Sequence, residues 1–160
     1  MTELTVERTA PNVLTVTRRF SAPPALVWRA HMEPDLLRRW LLGPDGWSMT
    51  ECVNEARPGG RIRYSWREDA TGAAFTLTGE YRTVEPPHRC VHVERFHMPD
   101  PTPDNHVETR FEADASGGTR MIMTMTVDNA ETMEAMIATG MTEGMEASYR
   151  RLETLGEMAP

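Results

Sequence analysis

Short segments of alternating apolar and polar residues, separated by turns, fill the chain from residue 49 to residue 127. In RIRYSWR, for example, Ile62, Tyr64 and Trp66 alternate with polar side chains, and RPGG, DATGA, EPPH and ADASGG separate such segments. A period of two is typical of β-strands that bury one face. Because the segments are consecutive and most turns are short, the pattern predicts an antiparallel meander.

The segments on either side of the meander predict one further strand and three helices. NVLTVTRRF alternates like a first strand, and the next segment divides at Pro34 into short helices near residues 23–32 and 34–41. The chain ends in a helix over about residues 130–155 with one apolar stripe. We therefore expect an α+β helix-grip fold, in which a curved antiparallel sheet of about six to seven strands wraps around a long C-terminal helix. The stripe consists of Met133, Met136, Ile137, Gly140, Met141, Gly144, Met145, Ser148, Leu152 and Leu155.

Pairing each strand with its neighbour across the turn predicts which side chains share a face. One face is then apolar or aromatic except at His92 and Glu94, and the other carries arginines and glutamate and should be solvated. The residues expected on the solvated face are Arg63, Arg67, Arg95, Glu108 and Arg110. The expected pairs are Ile62–Gly79, Tyr64–Leu77, Trp66–Phe75, Tyr81–His92, Leu77–Phe96, Phe96–Val107, Glu94–Thr109, His92–Phe111, Val107–Met125, Thr109–Met123 and Phe111–Met121.

The length and charge of the chain limit its organisation and its partners. At 160 residues it suits one domain, which we assign to residues 13–156, preceded by a flexible arm over residues 1–12. The formal net charge of −7 argues against nucleic acid as a partner. No segment has the run of about 18 apolar residues that a membrane span requires. Cys52 and Cys90 are expected to be free thiols in a cytoplasmic protein, because no secretory signal follows Met1.

Several sequence stretches resemble one known superfamily. RRFSAPPALVWRA, DLLRRWLLGPDGW, RPGGRIRYSW, GEYRTVEPP and the closing ATGMTEGMEASYRRLETL stand in the order and spacing of the START-like, helix-grip (SRPBCC) proteins. These include Bet v 1-like plant allergens, polyketide cyclases and lipid-transfer proteins. The branch that the chain resembles is named after the activator of the heat-shock-protein-90 ATPase. The resemblance covers about residues 13–155.

This resemblance implies a cavity between the sheet and the terminal helix that takes an apolar or aromatic small molecule. The chain departs from the branch in three places. His92 and Glu94 stand where apolar or aromatic side chains are common, so the cavity should be more polar. Met141 replaces an aromatic residue after a glycine, and the loop between Trp40 and Trp47 is longer by two leucines.

The methionines allow two interpretations. Thioethers fill irregular core gaps, and we expect this of Met121, Met123 and Met125 on their strand. Gly140 and Gly144 in the terminal helix each lower helix stability by about 0.8–1 kcal/mol, so they indicate either close packing on the sheet or room for a ligand. The candidate cavity residues are Tyr64, Trp66, Leu77, Tyr81, His92, Glu94, Phe96, Thr109, Phe111, Met123, Met136, Ile137, Gly140, Met141, Gly144 and Met145, with Trp40 and Trp47 at the mouth.

His92 and Glu94 are the weak candidates for chemistry. A buried carboxylate needs a partner, so the pair is a self-satisfied contact, a polar anchor for a ligand, or an acid and base for proton transfer. Alternatively, a bulge in the strand turns Glu94 to solvent. His97, His106, Asp100 and Asp104 surround a proline-rich loop without the spacing of a metal site. No metal and no cofactor is expected, since phosphate-binding, dinucleotide-binding, nucleophile-elbow and zinc-protease motifs are absent from the sequence.

Three functions remain open from the sequence. The first is a carrier or sensor that binds an apolar or aromatic small molecule, lipid-like or polyketide-like. The second is a cyclase, dehydratase or hydrolase that uses His92 and Glu94. The third is a chaperone-regulating or stress-linked interaction module with a protein partner, and the sequence leaves a homodimer open.

Overall fold

Eight antiparallel strands in one sheet make up most of the fold. The structure is a computed structural model, and it describes residues 4–159. The strand order is β1-β2-β8-β7-β6-β5-β4-β3, so the meander from β3 to β8 is continued by β2 and β1. This confirms the predicted α+β helix-grip architecture, with a slightly higher strand count than expected. The strands are β1 Thr5–Ala10, β2 Val13–Phe20, β3 Trp47–Asn54, β4 Arg61–Glu68, β5 Ala74–Glu85, β6 Arg89–His97, β7 Asn105–Ala113 and β8 Thr119–Thr126.

The additional strand is β1, at one edge of the sheet. It pairs with β2 from Thr5 opposite Thr17 to Ala10 opposite Val13. The prediction of a flexible arm is therefore corrected for residues 5–10, while residues 1–3 of that arm lie outside the described residues. The sequence pattern did not predict β1, because five of its six side chains are exposed and buried residues therefore do not alternate with exposed ones.

The helices begin and end close to the predicted positions, with one exception. Helices α1 (Pro24–Met32) and α2 (Pro34–Trp40) each have a proline in the first turn, where a missing N–H is tolerated. The C-terminal segment forms α3 (Ala130–Ala138) and α4 (Met141–Thr154), followed by a short 3-10 helix at Gly156–Met158. No helix within residues 4–159 is long and apolar enough to span a membrane.

Gly140 divides the predicted terminal helix into α3 and α4. Its φ is 79°, a left-handed conformation that side chains with a Cβ adopt at a steric cost. Asn129 caps the start of α3 through a hydrogen bond from the amide of Thr132. The prediction of one continuous helix over residues 130–155 is thus wrong at this glycine, because a helix cannot continue through a left-handed residue.

The predicted strand registers are correct on most of the sheet. Tyr64 lies opposite Leu77 and Tyr81 lies opposite His92, as expected from the turns. The pairs between β7 and β8, such as Thr109 with Met123, also agree. The face that carries the arginines is solvent-exposed, which confirms its assignment.

The register between β6 and β7 differs from the prediction. Glu94 lies opposite Asn105 instead of Thr109, and His92 lies opposite Val107 instead of Phe111. The reason is the connecting segment, residues 98–104, which turns back early. Pro101 bridges to His97, and the amide of Thr102 donates to the carbonyl oxygen of Phe96 at 2.8 Å. β7 therefore begins at Asn105 and pairs nearer the start of β6.

Two apolar clusters form the core between the sheet and the helices. The larger contains most of the aromatic side chains, with Trp40, Phe111 and Leu152 at its centre. The smaller lies under α3 and includes Val107, Met125 and Met133. Met121 and Met125 are buried, as expected of core methionines, and Met123 packs at the edge of the smaller cluster.

His31 on α1 is enclosed by aromatic rings. The rings of Trp40 and Phe111 each have centroids 4.9 Å from the imidazole, and the ring of Tyr149 lies at 6.1 Å. Nδ1 donates to the carbonyl oxygen of Val27 at 2.8 Å. Burial lowers the pKa of His31 from 6.5 to about 4, although the hydrogen bond to Val27 opposes this shift. The imidazole is therefore neutral in the folded protein at neutral pH.

This burial predicts acid sensitivity between pH 6.5 and pH 4. In that range the unfolded chain binds a proton at His31 and the folded protein does not, so the free energy of unfolding falls as the pH falls. We expect the His31→Leu variant to have a slope shallower by up to about 1.4 kcal/mol per pH unit in urea unfolding. The two proteins should have parallel profiles between pH 7 and pH 8. Equal slopes below pH 6.5 would contradict the prediction.

Candidate functional site

The sheet residues predicted to line a cavity share the inner face. They are Tyr64, Trp66, Leu77, Tyr81, His92, Glu94, Phe96, Thr109, Phe111 and Met123, and cross-strand pairs such as Tyr64–Leu77, Leu77–Phe96 and Tyr81–His92 connect them. Tyr64, Trp66, Leu77, Tyr81, Thr109 and Phe111 are buried, whereas His92, Glu94, Phe96 and Met123 are half-buried. The inner face is therefore most accessible at the end of β6 and on β8.

The helix residues predicted for the cavity separate into two groups. Met136, Met141 and Met145 pack against the smaller cluster, and Met145 also contacts the larger one. Ile137 and Gly140 are instead exposed. A Cβ at Gly144 would lie 3.6 Å from Cδ of Pro44, so this glycine faces the α2–β3 loop. Ile137, Gly140 and Gly144 therefore lie apart from Met136, Met141 and Met145, which together form what we call the methionine wall.

The hydroxyls of two tyrosines on the inner face are satisfied within the protein. Tyr64 and Tyr81 both donate to Oδ1 of Asn54, at 2.8 and 2.7 Å, and Nδ2 of Asn54 donates to the carbonyl oxygen of Met32 at 2.9 Å. Burial raises the pKa of both phenols, so they remain protonated at neutral pH. This end of the inner face is a closed polar network with no spare donor for a ligand.

The tryptophans predicted at the mouth occupy different places. Trp40 is 1% exposed, and its Nε1 donates to the carbonyl oxygen of Ala30 at 2.9 Å. It packs in the core, which corrects its assignment to an opening. Trp47 is half-buried with its ring 5.4 Å from that of Phe75, which in turn stacks on Trp66 at 5.0 Å. Trp66 Nε1 donates to the carbonyl oxygen of Leu41 at 2.7 Å and so holds the loop after α2.

His92 and Glu94 form a short contact on β6. Nε2 of His92 and Oε1 of Glu94 are 2.6 Å apart, and where the carboxylate accepts, Nε2 is the donor. The ring of Tyr81 meets the imidazole edge to face with centroids 6.0 Å apart. Nδ1 of His92 is buried and has no hydrogen-bond partner within residues 4–159. Nε2 of His92 is thus hydrogen-bonded within the pair, whereas Nδ1 is not.

Asn105 is the residue of this site that the sequence pattern did not identify. It is 4% exposed, and neither Nδ2 nor Oδ1 has a hydrogen-bond partner in the described part of the chain. Buried amides in proteins are normally satisfied by protein or water. Asn105 is opposite Glu94 and diagonal to His92. Nδ2 and Oδ1 of Asn105 and Nδ1 of His92 are therefore three unpartnered polar atoms in one region of the inner face. Only the correct β6–β7 register would have brought Asn105 to this region.

Of two concavities on the protein surface, one lies outside this region and the other borders it. One, of about 370 Å³, lies between β1 and α4 and includes Leu4 and Ala147. The other, of about 300 Å³, lies mainly on the outer face of β5 and β6, where it includes Thr78 and Arg95, and it reaches Gly79 and Glu94. Neither lies between α4 and the inner face of β5, β6 and β7, where side chains of the two core clusters meet.

The remaining candidates for chemistry do not form a site. Cys52 and Cys90 are free and buried, and burial raises the pKa of Cys90 to about 12, so neither is a reactive thiolate at neutral pH. His97 Nε2 bonds to Oγ1 of Thr78 at 2.8 Å, and Arg95 pairs with Asp104. No group of three histidine, cysteine, aspartate or glutamate side chains among the described residues could hold a metal ion.

An antiparallel sheet wrapped around C-terminal helices, with two short helices after the second strand, defines a START-like, helix-grip protein. The sequence matches the family described as Activator of Hsp90 ATPase homolog 1-like protein over residues 21–157. This match spans most of the chain, and the protein belongs to that family. Proteins with this fold commonly bind hydrophobic ligands.

Solved structures support the assignment. A protein from Rhodobacter sphaeroides is 34% identical, with a TM-score of 0.87 over 94% of this chain and 95% of the other. Protein Ms6760 from Mycobacterium smegmatis is 26% identical, with a TM-score of 0.84 over 96% of each chain. Protein CV1439 from Chromobacterium violaceum, 24% identical over 92% and 99% with a TM-score of 0.79, shares the fold. No curated protein matches the chain.

The unpartnered amide of Asn105 predicts an unusual effect on stability. A buried polar group without a partner costs about 1–3 kcal/mol, so we expect Asn105→Leu to raise the free energy of unfolding by about 1 kcal/mol. Asn54→Leu is the matched control, because it removes an amide that is fully bonded. It should lower that free energy by about 2 kcal/mol or more, since two buried tyrosine hydroxyls lose their acceptor. Urea unfolding measures both, and similar losses in the two variants would contradict the prediction.

Proposed function

We propose that the protein binds an apolar or aromatic small molecule between the inner face of β5, β6 and β7 and the methionines of α3 and α4, as a carrier or sensor. The observation that supports this most directly is the group of unpartnered buried atoms on His92 and Asn105, within a face that is mostly apolar. Polar atoms of this kind orient ligands in apolar sites. The family fold, which commonly binds hydrophobic ligands, supports the same proposal.

The surrounding side chains suit such a ligand. Leu77 and Phe96 form the neighbouring pair on one side of Glu94, and Val107 lies between His92 and Met125 on the adjoining strands. Burying about 200 Å² of apolar ligand surface would contribute roughly 5 kcal/mol before ordering costs. Because this region is filled by side chains in the structure, binding requires the unbranched side chains of Met141 and Met145 to move aside, which thioethers do readily.

Native mass spectrometry of the freshly purified protein, together with titration by the uncharged apolar dye Nile red, tests the proposal. A co-purified small molecule, or saturable binding of one dye per chain, would support a carrier or sensor. A protein that carries no small molecule and does not bind the dye would contradict it.

A charge on the methionine wall should weaken binding. We expect Met145→Glu to weaken Nile red binding at least tenfold, because Met145 contacts both core clusters and a carboxylate there disfavours an apolar guest. Met98→Glu is the matched control, since Met98 is 49% exposed in the β6–β7 loop, and its dye affinity should equal that of the parent. Circular dichroism verifies that both variants are folded. Equal affinities in all three proteins would exclude this wall as the binding surface.

A proton-transfer enzyme is the second candidate, and the short contact between His92 and Glu94 favours it. A histidine that donates Nε2–H to a carboxylate is oriented for Nδ1 to accept a proton from a substrate. Such a pair would serve a cyclase, dehydratase or hydrolase.

This second function predicts a separation between affinity and turnover. His92→Ala and Glu94→Gln should keep the affinity for a converted substrate within about threefold, while turnover falls at least a hundredfold, the usual lower range for a lost acid or base. Dye binding and product formation would be measured on the same samples. Parent-like turnover in both variants would rule out catalysis by this pair.

A further inference from the structure

We propose that Glu94, His92 and Asn105 form a head-group site for an uncharged ligand end that both donates and accepts hydrogen bonds, such as a carboxamide or a phenol. This inference rests on the binding function proposed above and specifies the chemical class of its ligand. It excludes free carboxylates, and hence free fatty acids, as preferred ligands.

Two residues of the site, Glu94 and Asn105, lie in one row across three strands. Glu94 lies opposite Gly79 on β5 and opposite Asn105 on β7. Gly79 has no side chain, and a Cβ there would be 2.7 Å from the carbonyl oxygen of Val93, so the close approach of the strands requires glycine. No side chain from β5 therefore covers the inner face directly beside Glu94.

The Asn105 amide supplies both kinds of hydrogen bond. Nδ2 and Oδ1 are both buried and both unpartnered, so a rotation of the amide that exchanges them leaves the same free donor and free acceptor. A ligand group with one donor and one acceptor, such as a carboxamide, matches this side chain. A purely apolar ligand would leave both atoms unsatisfied, which is unfavourable in a buried site.

His92 and Glu94 determine the charge of the site. Nε2 of His92 is engaged by Glu94, and Nδ1 is an acceptor when the ring is neutral and a donor when it is protonated. Within residues 4–159 the Glu94 carboxylate pairs with His92 and with no arginine. The chain contains no lysine, so arginines are its only permanently cationic side chains.

The nearest buried arginine is engaged elsewhere. Arg18 lies in the row of Met121 and Phe111, about 20 Å along the strands from the row of Asn105 at roughly 3.4 Å per residue. It pairs there with Glu146 at 3.2 Å and with Glu153 at 3.6 Å. A ligand carboxylate beside Glu94 would therefore meet the Glu94 carboxylate with no arginine to neutralise the two charges.

Four probes with the same ring system test the inference: naphthalene, 2-naphthol, 2-naphthamide and 2-naphthoate, titrated at pH 7.5 by calorimetry. We expect 2-naphthol and 2-naphthamide to bind at least tenfold more tightly than 2-naphthoate, and more tightly than naphthalene. Equal or tighter binding of 2-naphthoate would overturn the inference.

Variants connect the preference to the named side chains. Asn105→Leu should reduce 2-naphthamide affinity at least tenfold and leave naphthalene affinity within threefold, and Asn105→Ser repeats the test with a smaller side chain if the leucine variant does not fold. Glu94→Gln should raise 2-naphthoate affinity at least tenfold. Glu112→Gln, on the exposed face of β7, is the matched control and should change none of the affinities.

The outcomes separate this inference from the proposed function. Binding of all four probes with similar affinity, or variants without effect, would overturn the head-group site and leave small-molecule binding intact. Failure of the folded parent protein to bind any probe would overturn both.

Discussion

The buried ion pair between β2 and α4 determines where the C-terminal helix lies on the sheet. Arg18 is 2% exposed, and its guanidinium bonds to Glu146 and lies 5.0 Å from the ring centre of Phe20. An arginine cannot lose its charge, so its burial is tolerated only with carboxylates in place. Glu146 and Glu153 are two helical turns apart and share one face of α4. That face must therefore meet β2, which directs Met145 towards the centre of the sheet.

The two ends of the inner face differ in whether their buried polar side chains have hydrogen-bond partners. Arg18 has two carboxylates, and Glu146 also accepts from the backbone amide of Leu4, so this network is internally complete and fastens β1, β2 and α4 together. At the other end of the sheet Glu94 has only the imidazole of His92, and Asn105 has no partner among the residues described. Because unsatisfied groups lower stability, this second end supports the binding role proposed above.

Much of the fold could be predicted from the sequence because alternation and turns act locally. The period of two identified the strands from β2 to β8, and the prolines of α1 and α2 placed those helices within a residue. β1 was missed because its side chains are exposed, and the division at Gly140 was missed because the apolar stripe continues across a residue whose backbone is left-handed. Trp40 was placed at an opening because an aromatic residue next to a loop has no local signal that distinguishes core from rim.

The candidate site was predicted only in part, and the reason lies in the parity of strand register. Changing the partner of Glu94 from Thr109 to Asn105 moves β7 by four residues, an even number, so every side chain keeps its face. The hydrophobic pattern is identical in both registers and cannot distinguish them. The choice is made by the segment between His97 and Asn105, where Pro99, Pro101 and Pro103 lack amide donors and the chain turns back on the end of β6. The face of the site is thus encoded by alternation, whereas its chemistry depends on one loop that places an asparagine beside a histidine and a glutamate.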